Sequence, residues 1–108
     1  MLRRAIEPRY GYWTYPAGYM ELGETVEDAA RRETREELNM DVALDGLVGV
    51  YSFPNTSNVH VVYRGNVLSQ PSPGQEALEM RHFSPDAIPW EGLAFRTTHQ
   101  ALRDWLAN

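Results

Sequence analysis

Between Gly18 and Met40 the sequence reads GYMELGETVEDAARRETREELNM, which crowds Glu21, Glu24, Glu27, Asp28, Glu33, Glu36 and Glu37 into 23 residues. Charge alone describes a solvated helix face. The spacing says more. At roughly 100° per residue, Glu33, Glu36 and Glu37 fall within one arc about 100° wide. That arc lies beside a stripe formed by Val26, Ala30, Thr34 and Leu38. Like charges three and four residues apart repel, each close pair costing an isolated helix about 0.2 to 0.5 kcal/mol. Arg32 and Arg35 lie outside the arc, so a further source of positive charge is called for. A compact group of carboxylate oxygens is what Mg²⁺ or Mn²⁺ prefers as ligands.

The element that positions these carboxylates is a helix expected over Val26–Leu38. Thr25 is a good N-cap, and Glu27 and Asp28 stand in the first turn, where the helix dipole favours anions. Asn39 follows Leu38, and asparagine often takes the left-handed conformation that closes a helix.

These residues resemble the Nudix box, G-x5-E-x7-R-E-U-x-E-E-x-G-U with U a bulky apolar residue. Gly18, Glu24, Arg32, Glu33, Glu36, Glu37 and Met40 stand in the required places. Thr34 replaces the usual apolar residue and Asn39 the glycine; neither change touches a carboxylate. Upstream, Trp13, Pro16, Ala17 and Gly18 match the family's W-x-x-P-A-G approach to the box. The resemblance implies a loop-helix-loop that holds divalent metal, Mg²⁺ or Mn²⁺, against the pyrophosphate of a nucleoside diphosphate linked to another group. It assigns Glu33, Glu36 and Glu37 as metal ligands, together with the backbone carbonyl of Ala17. Glu24 and Arg32 become supporting residues, Arg32 pairing with a box carboxylate to fix its rotamer. Metal-activated water then attacks phosphorus, with no covalent enzyme intermediate.

The resemblance continues from Pro73 to Phe95, where PGQEALEMRHF, DAIP and GLAF are similar to the branch that hydrolyses FAD and ADP-ribose. Many family members take an extra carboxylate, as base or metal ligand, from a loop closing over the site. Glu76 is the first candidate for it and Glu79 the second; the alternative for both is a surface carboxylate. Tyr10, Tyr12, Trp13 and Tyr15 read first as core and sheet packing, with Trp13 also a candidate platform for a nucleobase. A module that binds metal and nucleotide, or a protein partner, with little turnover is the competing reading of the whole chain.

The rest of the sequence bounds these readings. At 108 residues, with 43% apolar and 23% charged residues, the chain is one ordinary globular domain. No apolar run reaches the roughly 20 residues of a membrane span, and the first residues lack a signal-peptide core, so a cytoplasmic protein is expected. The absence of cysteine excludes disulfides and thiolate zinc sites. A net charge of -5 argues against a broad nucleic-acid surface.

Strand composition recurs at Leu2–Ile6, and again at Asp41–Leu44 and Leu47–Phe53, these two separated by an Asp45-Gly46 turn. Val59–Leu68 reads as a strand antiparallel to the preceding one, and Leu78–Phe83 as a short strand. Thr97 or Thr98 is expected to cap a last helix packing through Ala101, Leu102, Trp105 and Leu106. His60 is expected on a sheet surface, and His99 has no assigned role. Strands around two helices make an α/β fold, consistent with the family's α/β/α sandwich and its mixed sheet. The family usually has some 30 further residues before the position of Leu2, forming the first strands. A sheet lacking them exposes an unpaired edge, from which a homodimer, with or without exchanged strands, is expected.

Overall fold

Local sequence sets the longest helix. In the computed structural model, which describes residues 1–107, helix α1 spans Val26–Leu38. The Thr25 side chain accepts a hydrogen bond from the Asp28 N–H at 3.1 Å. At the other end Asn39 takes the left-handed conformation (φ 50°, ψ 39°) and donates its N–H to the Arg35 carbonyl. Both ends of the helix are therefore closed by the residues whose chemistry suits them.

Five strands make two sheets. The first contains β1 (Leu2–Arg4), β2 (Trp13–Thr14) and β5 (Ala77–Met80) in the order β2-β1-β5. The second is the hairpin of β3 (Val42–Ser52) and β4 (Val59–Val67). Among the described residues all strand pairs are antiparallel, and parallel pairing is confined to a single bridge between Trp13 and Leu93. Two turns of 3-10 helix, Pro85–Ala87 and Trp90–Gly92, lead into α2 (Arg96–Ala107).

β3 corrects the expectation of two strands flanking a turn at Asp45-Gly46. The strand runs through, and its register with β4 shifts between Leu44 and Gly46 and again between Leu47 and Gly49. Such irregularities let a strand bend without ending. Asp45 is held across the hairpin by Arg64 Nε at 3.1 Å and Asn66 Nδ2 at 3.4 Å, which uses the aspartate as a cross-strand acceptor. The last helix also differs from expectation. It begins at Arg96, so Thr97 and Thr98 lie inside its first turn and are buried. Thr98 Oγ1 shares a 2.9 Å hydrogen bond with Thr14 Oγ1 of β2, which satisfies two buried hydroxyls at once and ties α2 to the first sheet.

The core cluster joins Leu2, Leu38 and Ala77, with Met40 and Met80 packed against it. It therefore fastens the C-terminal end of α1 to β1 and β5, and so fixes where the acidic face of α1 stands. No described helix is long and apolar enough to cross a membrane.

Candidate metal and pyrophosphate site

The centre of the acidic region is a guanidinium. Arg32 Nε donates to Glu24 Oε2 at 2.6 Å and Nη2 to Glu24 Oε1 at 3.1 Å, a two-pronged pairing that fixes both side chains. Arg32 Nη1 donates to Glu33 Oε1 at 2.8 Å and to Glu36 Oε2 at 3.2 Å, and stands 3.6 Å from Glu21. Nη2 also reaches the Tyr19 carbonyl at 2.9 Å. The Arg32 hydrogen bond holds the Glu24 carboxyl below its ordinary range and raises Arg32 in return. Arg32 is thus the clasp between α1 and the loop before it.

Glu37 is engaged by the backbone before the helix instead of by Arg32. Its Oε2 accepts the Ala17 N–H at 2.8 Å, which brings the Ala17 backbone to the carboxylate face. Burial pushes Glu37 up to about 7, the charges of Glu33 and Glu76 adding to the rise, while the Ala17 N–H and Arg4 act against it. Glu33 is also raised, by burial first and by Glu36 and Glu21 in part, against the lowering effect of Arg32. Gly18 is required by the same geometry. A Cβ there would stand 2.1 Å from the Glu33 carboxyl carbon, so any side chain would displace that carboxylate.

Glu76 is brought in by a loop that docks on the end of α1. The Gly74 N–H donates to the Glu37 carbonyl and the Ser72 N–H to the Leu38 carbonyl, each at 2.8 Å, satisfying acceptors that a helix end leaves free. Gly74 can do this because a Cβ would lie 2.6 Å from the Glu36 carbonyl oxygen. The Glu76 carbonyl is then held by the Ala5 N–H at 3.0 Å. The loop carries Glu76 close enough for its charge to be felt at Glu37.

Two expected site residues lie elsewhere in the packing. Trp13 is buried in β2, with its ring edge-on to Phe83 at 4.9 Å, so it serves the core reading and offers no open platform. Glu79, on β5, is engaged by Arg3 and Arg81, each at 3.4 Å. Glu21 and the Tyr19 carbonyl, conversely, join the cluster without having been singled out. Their only sequence signal is their place in the loop between Gly18 and Glu24, whose path no periodicity rule fixes.

Among the described residues, no three histidine or acidic side chains already converge as a ligand set for a metal ion. The physical reason is Arg32, whose Nη1 stands between Glu33 and Glu36. The donor chemistry nonetheless fits a hard divalent cation. Glu21, Glu24, Glu33 and Glu36 supply only oxygen donors around one guanidinium, Glu37 adds another carboxylate on the same helix, and burial raises Glu33 and Glu37, with neighbouring carboxylates adding to the rise.

The NUDIX domain profile matches residues 1–107. Among curated proteins, the chain is 38% identical over 69 residues to an ADP-ribose pyrophosphatase of Methanocaldococcus jannaschii, covering 64% of this chain and 38% of that protein. It is 32% identical over 89 residues to the NAD-capped RNA hydrolase NudC of Pseudomonas aeruginosa, covering 79% of this chain and 32% of that protein. The chain therefore spans about a third of the length of these two relatives. A solved Nudix hydrolase from Nitrosomonas europaea superposes with a TM-score of 0.94 at 43% identity, over 98% of this chain and 61% of that one.

Proposed function

The chain belongs to the Nudix family, and on that premise we propose that it hydrolyses the pyrophosphate bond of nucleoside diphosphate derivatives, with FAD or ADP-ribose as substrate. The observation that carries this reading is the set of carboxylates that Arg32 gathers in one arrangement, Glu24 from the preceding loop with Glu33 and Glu36 of α1. Glu33, Glu36 and Glu37 would hold Mg²⁺ or Mn²⁺ together with the Ala17 carbonyl. Divalent metal at that position supplies charge neutralisation for the diphosphate and a more acidic water.

The chain's own residues supply the rest. Glu24 and Arg32 keep the Glu33 and Glu36 carboxyls in place. Glu76, on its docked loop, is the base that takes the proton from the attacking water, and passes it to the departing phosphate. One P–O bond forms to water and the bridging P–O bond breaks, giving AMP with ribose 5-phosphate from ADP-ribose, or AMP with FMN from FAD. Trp13 acts from the core, by holding β2 beneath Ala17. Glu79 anchors β5 through Arg3 and Arg81. The substrate is a small cytosolic nucleotide, and the reaction needs neither nucleic acid nor membrane.

Incubation with FAD, ADP-ribose, NADH and a panel of nucleoside triphosphates tests the proposal. AMP is expected from FAD or ADP-ribose in Mg²⁺ or Mn²⁺, and none is expected in chelator. Absence of AMP from every dinucleotide, or equal turnover in chelator, overturns it.

We propose in addition that the active species is a homodimer. Among the described residues β4 pairs with β3 alone, which leaves its other edge free, and every residue of β4 lines a cavity of about 560 Å³ that also takes in residues of α1, α2 and the Pro16–Gly18 segment. Val59 and Val67 stand 65% and 50% exposed there. An apolar edge of this kind is a template for another strand, and a second copy pairing along β4, with or without strand exchange, would cover it. Light scattering is expected to give twice the chain mass at tens of micromolar, and Val61→Lys, which charges the edge, to give the monomer. A parent protein of single-chain mass across that range defeats the dimer.

A further inference from the structure

All ten basic residues of this chain are arginines. Arg3, Arg31, Arg32, Arg35, Arg64 and Arg81 each pair with a carboxylate. Among the described residues the remaining four, Arg4, Arg9, Arg96 and Arg103, form no ion pair with a carboxylate; Arg4 Nε donates to the Pro8 carbonyl at 2.9 Å and its charge acts on Glu37, while the other three gather at one place. It is a cleft of about 580 Å³ between the loop before β2, the segment entering α2 and the first two turns of α2. Arg9, Arg96 and Arg103 line it directly, and Arg4 stacks at 4.9 Å on Phe95, which forms part of its wall. No residue from Gly18 to Met40 lines it.

In a chain of net charge -5, carboxylates are plentiful, so three guanidiniums without an ion pair in one cleft are not a matter of supply. Aromatic faces hold them instead. Arg9 lies over Tyr12 at 5.5 Å, Arg96 over Phe53 at 4.1 Å and Arg103 over Trp90 at 5.7 Å. Arg103 Nε also donates to His99 Nδ1 at 3.2 Å. Stacking leaves the edge donors of a guanidinium free for a ligand. Arg9 is presented by a backbone with φ 63°, a conformation that costs a non-glycine residue energy and that recurs where a side chain must be aimed. Glu91 is the single carboxylate in the lining. The first turn of α2 carries no acidic residue, so its amides add positive potential at the same wall.

We propose that this cleft binds a phosphate monoester of mononucleotide size. Planar, unpaired guanidiniums match a phosphate dianion with paired hydrogen bonds, and the volume accommodates a nucleoside as well as its phosphate. The proposal does not depend on the hydrolase reading, because its site shares no residue with the Gly18–Met40 cluster.

Isothermal titration of the full chain in EDTA tests it, with AMP, inorganic phosphate and adenosine as probes. AMP is expected to bind, phosphate more weakly and adenosine not at all. Arg96→Gln/Arg103→Gln, and separately Arg9→Gln in the loop, are expected to weaken AMP by at least about tenfold each, the scale of a lost charge-assisted hydrogen bond. Arg64→Gln, which breaks a surface pair, and Glu37→Gln are expected to leave it unchanged. Either Arg9→Gln or the double variant suffices if the other fails to fold. AMP binding that survives the arginine changes, equal binding of adenosine, or no AMP binding up to about 10 mM overturns the proposal. Loss in Glu37→Gln with retention in the arginine variants moves the anion to α1 and overturns it equally.

Discussion

With Glu37 holding metal as proposed, Glu37→Gln is expected to lower kcat for the proposed hydrolysis of ADP-ribose or FAD by at least about a thousandfold, since a metal ligand supports several kcal/mol of transition-state stabilisation and each tenfold corresponds to about 1.36 kcal/mol. The same change is expected to leave the fold intact. Glutamine keeps an oxygen for the Ala17 N–H and removes a charge that burial and the neighbouring Glu33 and Glu76 already disfavour. The sign of the pH dependence follows. Glu37 has an ordinary value of 4.5 and is raised to about 7 in the folded chain. Between those values the folded protein holds a proton that the unfolded chain has lost, so metal-free stability falls as pH rises through that window. Thermal melts in chelator at pH 5 and pH 8 check this. The parent is expected to lose more stability than Glu37→Gln between the two. A variant that melts below the parent at pH 8 would make Glu37 a structural residue instead.

Arg32→Ala carries the second-largest expected effect, a loss of about 10- to 100-fold in activity or metal affinity, typical when the partner that orients a ligand is removed. The change frees Glu24, Glu33 and Glu36 together and cuts the tie to the Tyr19 carbonyl. Arg32→Lys is expected to recover little of it, because an ammonium cannot span two edges of Glu24 and still reach Glu33. The measurement is the Mg²⁺ concentration for half-maximal rate, which is expected to rise in both variants. An unchanged half-saturation with a lower melting temperature would make Arg32 a fastener of the loop alone.

What the sequence makes legible here is what local chemistry decides. Helix α1 runs over Val26–Leu38 as expected because its two caps, Thr25 and Asn39, act on residues three or four positions away. The hairpin of β3 and β4 is legible for the same reason. The continuity of β3 through Asp45-Gly46 is not, because it is decided by Arg64 and Asn66 on the neighbouring strand. Thr98 reads as a helix cap until a partner 84 positions away, Thr14, gives its hydroxyl a buried bond. The acidic face of α1 is legible from angle and charge, and the family resemblance adds Glu24 and Arg32. The gathering of Arg9, Arg96 and Arg103 has no sequence signal, since it needs segments from opposite parts of the sequence folded together.

That meeting of ends also governs when the molecule can become complete. The β1 strand starts at Leu2, yet one of its partners begins at Ala77, with Leu2 opposite Met80 and the Met1 amino group donating to the Arg81 carbonyl at 2.8 Å. During synthesis β1 can pair early with Trp13–Thr14 on one edge, but its other edge must wait for Ala77–Met80. Helix α1 and the β3–β4 hairpin can form from neighbouring residues in the meantime, but closing so long a loop is a slow step. Leu38, at the end of α1, finds its burial only when Leu2 and Ala77 arrive. The carboxylates of α1 are thus made early and seated last, so nucleotide turnover would report the final act of folding.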